Sequence, residues 1–240
     1  MRKYELTTNT KMEFGRKLFQ IKALVSFGDV ATGDLGGYIE KEENLSHEGN
    51  AWVYDRALVF DDAQVCGDAL VFCDAHVYGN ALIFGDARVY DNAKVLGHAA
   101  VSGNAQVYGT ALVCENARVY GDSFVYGNSW VYGDAQVYGD ALVRGDAWVG
   151  GDAQVCGEAR VSSDADYICF KGFGSEGRNT TMFRTKNGDI YVCCGCFAGS
   201  LRKFTEKVKK THGSSKYAKE YLACVEVAKI HFEIGEENDK

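Results

Sequence analysis

Gly49-Asn50-Ala51-Trp52-Val53-Tyr54, Asp55-Arg56-Ala57-Leu58-Val59-Phe60, Asp61-Asp62-Ala63-Gln64-Val65-Cys66: these are three consecutive blocks of six residues, alike at fixed positions. The pattern continues without insertion from Gly49 to Ser162, nineteen blocks in all. The third residue is Ala seventeen times and Ser twice, at Ser123 and Ser129. The fifth is Val except at Ile83, the first is Gly in fourteen blocks, and the second is Asp or Asn in fifteen. A period of six excludes an amphipathic helix, whose apolar repeat is near 3.6 residues. Residues two apart in a strand point the same way, so the Ala and Val positions face inward and the fourth position faces out. Gly-Asp and Gly-Asn between strands adopt turn dihedrals closed to bulkier residues. Such self-similarity specifies a solenoid, and an unbroken coil leaves no room within itself for catalytic loops.

The hexad resembles that of the hexapeptide-repeat superfamily. The resemblance implies a mainly β fold, a left-handed parallel β-helix in which three hexads make one triangular coil. Crossovers between parallel strands are otherwise right-handed, so the handedness rests on the resemblance alone. Nineteen hexads give slightly more than six coils, a prism roughly 30 Å long at about 4.8 Å per coil. Ala at the third position predicts a narrow core that larger residues would overpack. Both ends need caps, because open strand edges template aggregation.

Three parts follow: a β cap over residues 1–48, the coil over 49–165, and an α+β module over 166–240. The module is expected to hold a strand at Tyr167–Phe170 and a Gly-rich loop, Gly172-Phe173-Gly174-Ser175-Glu176-Gly177-Arg178-Asn179. Thr180–Thr185 and Asp189–Cys196 read as a hairpin joined at Asn187-Gly188 in a type I′ turn. Ser200 is the N-cap of a helix from Leu201 to near Lys210, ended by Gly213. A second helix from near Ser215 to Phe232 carries Tyr217, Tyr221, Val225, Ala228 and Phe232 on one face. A charged tail begins at Gly235.

Net charge is −7, unevenly spread. Residues 49–165 hold 6 basic and 15 acidic side chains, residues 166–240 hold 13 and 10. An acidic prism does not bind duplex DNA nonspecifically, and an anionic partner would meet the C-terminal module. Turn preference for Asp accounts for much of the acidity by itself. No apolar run approaches twenty residues, and no signal-peptide pattern follows Met1, so a soluble, cytosolic protein with no membrane partner is expected. The nine cysteines are scattered, several on the repeat (Cys66, Cys73, Cys114, Cys156), and read as free thiols rather than a disulfide framework.

Members of the hexapeptide superfamily include many acyltransferases, which place a catalytic His and a donor groove between the coils of a trimer. His76 at an outward site and His98 at a turn are the coil histidines here; either is a solvent-facing repeat residue or a general base. The carbonic-anhydrase branch needs three zinc-binding His and does not fit. Cys193-Cys194-Gly195-Cys196, with Cys169 and His212, raises a zinc reading and a thiol reading. On an alternating strand, however, Cys194 and Cys196 share one face and Cys193 takes the other. No catalytic set, metal or cofactor is expected. The loop region is more suggestive. Ser175, Arg178, Asn179, Thr180 and Thr181, with His212, gather hydroxyls, backbone N–H groups and a guanidinium, the groups that hold phosphate or carboxylate. Neither a Walker A loop nor a dinucleotide fingerprint is present, and an ordinary polar loop has a similar composition.

On the outer face, residues eighteen apart should stack: Tyr54, Phe72, Tyr90, Tyr108 and Tyr126 in one column, Leu58, His76, Lys94, Leu112, Trp130 and Trp148 in another. Such ladders stabilise strands or mark oligomer contacts, and the superfamily resemblance favours a trimer. Gly33-Asp34-Leu35-Gly36-Gly37-Tyr38-Ile39-Glu40, Asn44-Leu45-Ser46-His47, Cys194-Gly195-Cys196-Phe197 and Thr211-His212-Gly213 together resemble uncharacterised hexapeptide-repeat proteins of bacteriophages and prophages. The expected function is therefore a non-enzymatic, phage-type homo-oligomer. Its C-terminal module would bind a small anionic ligand, such as a cyclic nucleotide or ADP-ribose-like immune signal, and sequester it in the host bacterial cytoplasm. An acyltransferase and a structural or virion component are the alternatives.

Overall fold

The computed structural model describes residues 2–234; the tail expected from Gly235 lies outside the described residues. Each hexad supplies a two-residue strand, its fourth and fifth positions, from Trp52–Val53 to Arg160–Val161. Every rung pairs in parallel with one eighteen residues away, as Arg88 with Gln106 and Val89 with Val107. Three sheets of nine, seven and six strands result, the nine including three N-terminal strands. All third-position Ala and fifth-position Val or Ile are fully buried. Ser123 and Ser129 are buried too, each hydroxyl donating at 2.9 Å to the carbonyl of Tyr120 or Tyr126. A buried hydroxyl is tolerated only with such a partner.

The turns explain the exceptions at the first position. There the backbone is left-handed, and a Cβ on Gly79 would sit 2.9 Å from the Gly97 nitrogen. Asp55, Asp61, Cys73, Asp91 and Glu115 nevertheless adopt φ of 52–59°. Four of them have a compensating bond. The carboxylates of Asp55, Asp61 and Asp91 each accept from the N–H eighteen residues on at 3.1 Å, and that of Glu115 at 2.9 Å. Second-position side chains also bond along the column, as Asn104 to Asp122 at 2.7 Å. Much of the coil's negative charge is therefore structural hydrogen bonding.

Coiling starts earlier than Gly49. Tyr38 and Ile39 pair with Leu58 and Val59, and Leu45 bridges to Val65, which adds an irregular turn. Before it, Tyr4–Glu13 and Arg16–Ala23 form an antiparallel hairpin that pairs with Leu35–Ile39. This cap also wraps the flank. Trp52 and Leu58 occupy outward positions yet are buried. Trp52 meets Tyr4 and Phe27 with ring centroids 6.0 and 5.3 Å apart, and Leu58 packs with Leu18. The aromatic columns form as expected for Phe72, Tyr90, Tyr108 and Tyr126, with spacings of 4.7–4.8 Å. Tyr54 instead turns edge-on to Trp52.

The C-terminal module is a four-stranded antiparallel sheet, Tyr167–Phe173, Arg178–Arg184, Ile190–Cys194 and Phe197–Ser200, followed by helices α1 (Leu201–His212) and α2 (Lys216–His231). Three local expectations need correction. The turn after Arg184 is not type I′, because Asn187 is not among the positive-φ residues. The Gly188 N–H donates to the Thr185 carbonyl at 3.0 Å and Gly188 itself takes φ 84°, a type I turn closed by a left-handed glycine. Asp189–Cys196 is not one strand; Gly195 at φ 58° turns the chain into Phe197–Ser200. Tyr217 is exposed, and Ala218 takes its place on the buried face with Tyr221, Val225, Ala228 and Phe232. Ser200 and Ser215 cap their helices through side-chain oxygens, as serines at such positions do.

Alternation divides the central strands of this sheet between two neighbours. Phe183 and Cys193 join the solenoid core, while Met182, Val192 and Cys194 pack with α1 and α2. The Thr181 hydroxyl accepts from the Gln154 N–H at 2.9 Å, and Lys186 N–H donates to the Glu158 carbonyl at 3.2 Å. The module thus closes the last coil. It also brings Cys193 beside Cys156, with Cα atoms 7.5 Å apart. That contact, spanning 37 residues, is invisible to repeat spacing; the other seven cysteines are free thiols.

Candidate functional site: a cleft in the C-terminal module

Two tight turns and α1 enclose a cleft of about 320 Å³. The first turn, Gly174–Gly177, joins the first two strands of the sheet, and the second is Cys194-Gly195-Cys196. Ser175, Arg178 and His212 line the cleft, so the first turn and the end of α1, distant in sequence, meet there. Arg178 is held across Gly195, where a side chain would collide with the guanidinium. The first turn is pinned from below. Tyr221 packs against Gly174, its hydroxyl donates to the Phe173 carbonyl at 3.4 Å, and the Gly174 N–H donates to Glu220 at 3.1 Å.

The other proposed ligand residues are elsewhere. Thr180 and Thr181 are buried on opposite faces of one strand. The Thr180 hydroxyl meets the Cys194 sulfur at 3.1 Å, and Thr181 bonds the coil. Asn179 shares the Thr181 face, and its buried Oδ1 has no partner among the described residues. The expected loop ends at Gly177, since Arg178 already begins a strand; strand alternation then sends Asn179 and Thr181 away from Arg178. The zinc set does not assemble. Cys193 and Cys169 face the coil, whereas Cys194, Cys196 and His212 line the cleft.

Sequence reading missed Lys207, Thr211, Tyr221 and Phe204, which complete the walls. The i, i+4 spacing of Lys207 and Thr211 on a helix was the available signal. Burial, then the neighbouring Cys194, pushes the Tyr221 hydroxyl up to about 12, partly countered by Arg178; it remains a neutral donor. Glu176 is the acid on the rim against Arg178 and Lys207. The negative end of the α1 dipole also opens here, and Lys209, Lys210 and His212 in its last turn offset it.

Other hollows lack this combination. A larger one of about 510 Å³ lies beside Arg184, whose guanidinium is already committed to the Phe232 carbonyl at 2.7 Å. One of about 360 Å³ near Arg16 is lined by ion pairs with Glu40 and Asp61. On the coil, His76 lies under Phe14, ring centroids 5.9 Å apart. Its Nδ1 is buried without a partner among the described residues, and burial, then Lys94, lowers its basicity. His98 is an exposed turn residue.

Residues 135–151 match the family model of the YdcK beta solenoid repeat. The chain is a parallel β-solenoid built from six-residue repeats. The chain is also similar to an uncharacterized acetyltransferase, YdcK, of Escherichia coli (strain K12), at 40% identity over 77 residues. That match covers 28% of this chain and 24% of the relative, so it spans a minor part of either protein. Neither match bears on a phage origin. Among the described residues no helix of the solenoid protein is long and apolar enough to cross a membrane.

Proposed function

We propose that this solenoid protein binds a small anionic ligand in its C-terminal cleft, with the coil as scaffold and without chemistry on the ligand. The observation that carries this reading is the convergence of Ser175, Arg178, Lys207 and His212 on one cleft. Arginine offers a planar fork to an oxyanion, and hydroxyl and ammonium groups add donors. Isothermal titration with inorganic pyrophosphate tests it. Wild type should bind, and Arg178→Ala should bind weaker by about 1.5–3 kcal/mol, the range for a hydrogen bond to a charged group. No binding to wild type would refute the reading.

Acyl transfer is the second reading, favoured by the similarity to a protein named as an acetyltransferase. It requires a base beside a donor groove, for which His76 and His98 are the coil candidates. Acyl-CoA turnover that disappears in His76→Ala or His98→Ala would establish it in place of the first. In either case we propose a homo-oligomer, with a trimer favoured by the superfamily resemblance. The stacked, exposed rings of Trp130 and Trp148, 4.7 Å apart, would supply a contact.

A further inference from the structure

We infer that the ligand of the C-terminal cleft is a small aromatic phosphate, its ring on the cleft wall and its phosphoryl group at the mouth. This rests on the anion-binding reading and adds the ligand's apolar half. Four rings follow one another along the wall. Phe197 and Phe204 have centroids 5.3 Å apart, Phe204 and Tyr221 5.6 Å, and Tyr221 and His212 5.7 Å. Phe204 and Tyr221 are buried, and Phe197 and His212 are half-buried where they meet the cleft. A bare hydrated anion gains nothing from these rings. A planar guest adds to their tilted and edge-on series and displaces water from it.

The mouth selects the anion. Arg178 and Lys207 bring two cations against the single carboxylate of Glu176, with hydroxyls at Ser175 and Thr211. These are more donors than the two oxygens of a carboxylate use well, and a phosphoryl group presents three acceptor oxygens. Size limits the rest. A volume of about 320 Å³ is at the lower end for small-molecule sites, roughly 300–1,000 Å³. One ring and one phosphoryl group fit within it.

Titration of the intact protein with phenyl phosphate, benzoate and inorganic phosphate separates the possibilities. Phenyl phosphate should bind at least about tenfold more tightly than inorganic phosphate, the factor that about 1.4 kcal/mol of ring burial gives. Benzoate should bind more weakly than phenyl phosphate. Phe197→Ala should erase most of the preference for the ring, so that phenyl phosphate and inorganic phosphate bind it about equally; Phe197→Leu serves if the alanine variant does not fold. Equal affinity for phenyl phosphate and inorganic phosphate overturns the aromatic assignment and leaves anion binding standing. Tighter binding of benzoate overturns the phosphate assignment. Failure of all three to bind overturns both this inference and the function proposed above.

Discussion

The guanidinium of Arg178 lies across the backbone of Gly195, which has no side chain to displace it. Gly195 serves twice: its φ of 58° makes the turn, and its missing Cβ leaves the space Arg178 occupies. Gly195→Ala should cost about 1–2 kcal/mol in stability from the left-handed backbone. It should also weaken pyrophosphate binding toward the level of Arg178→Ala. A thermal melt and a titration on the same sample check both halves.

Val107 is fully buried, and its neighbour Gln106 faces out to accept from the Tyr90 hydroxyl at 3.1 Å. Val107→Asp should abolish soluble folded protein, because a lone buried carboxylate costs several kcal/mol against a total stability of about 5–15 kcal/mol. Gln106→Asp should cost only about 0.5–1.5 kcal/mol, one hydrogen bond. Denaturant unfolding and soluble yield compare them.

Asp91 combines an unfavourable φ of 57° with a bond from its carboxylate to the Gly109 N–H. Asp91→Ala keeps the strain and loses the bond, so a loss of about 1–3 kcal/mol is expected. Asp91→Gly loses the bond and relieves the strain, and should be milder. Equal destabilisation by both would show that the bond alone matters.

Burial holds the His76 imidazole below its ordinary basicity, with Lys94 adding to the effect. Unfolded, it titrates near about 6.5. Between that value and the lower folded one, the unfolded chain holds more protons. This contribution to stability is therefore complete above about pH 6.5 and is lost as pH falls through the window. The side chain is only partly buried, so the effect is small. His76→Gln should lower Tm less than wild type does between about pH 7 and pH 5. An unchanged pH slope would assign the acid sensitivity to other groups.

The coil was legible because its signal is repeated nineteen times: one rule about inward Ala and Val and left-handed turns covers every rung. The same rule does not reach the ends. Burial of Trp52 and Leu58 depends on where the N-terminal hairpin folds back, and no hexad position encodes that. The cleft was half legible. Ser175, Arg178 and His212 carry the right chemistry in the sequence, but Asn179, Thr180 and Thr181 differ from them only by strand alternation and by where the turn ends. A shift of that boundary by two residues moves a threonine from a ligand site to a core. Lys207 and Tyr221 enter through helix packing, and Cys193 reaches Cys156 only when the module has closed the last coil.

The central claim is that the C-terminal cleft, not the coil, holds the ligand. Pyrophosphate affinity measured by calorimetry for wild type, Arg178→Ala, Lys207→Ala and His98→Ala tests it most directly. The two cleft variants should each lose about 1.5–3 kcal/mol of binding, with Tm close to wild type, and His98→Ala should bind as wild type does. Loss of binding in His98→Ala, with Arg178→Ala and Lys207→Ala unaffected, would place the site on the coil and contradict the account.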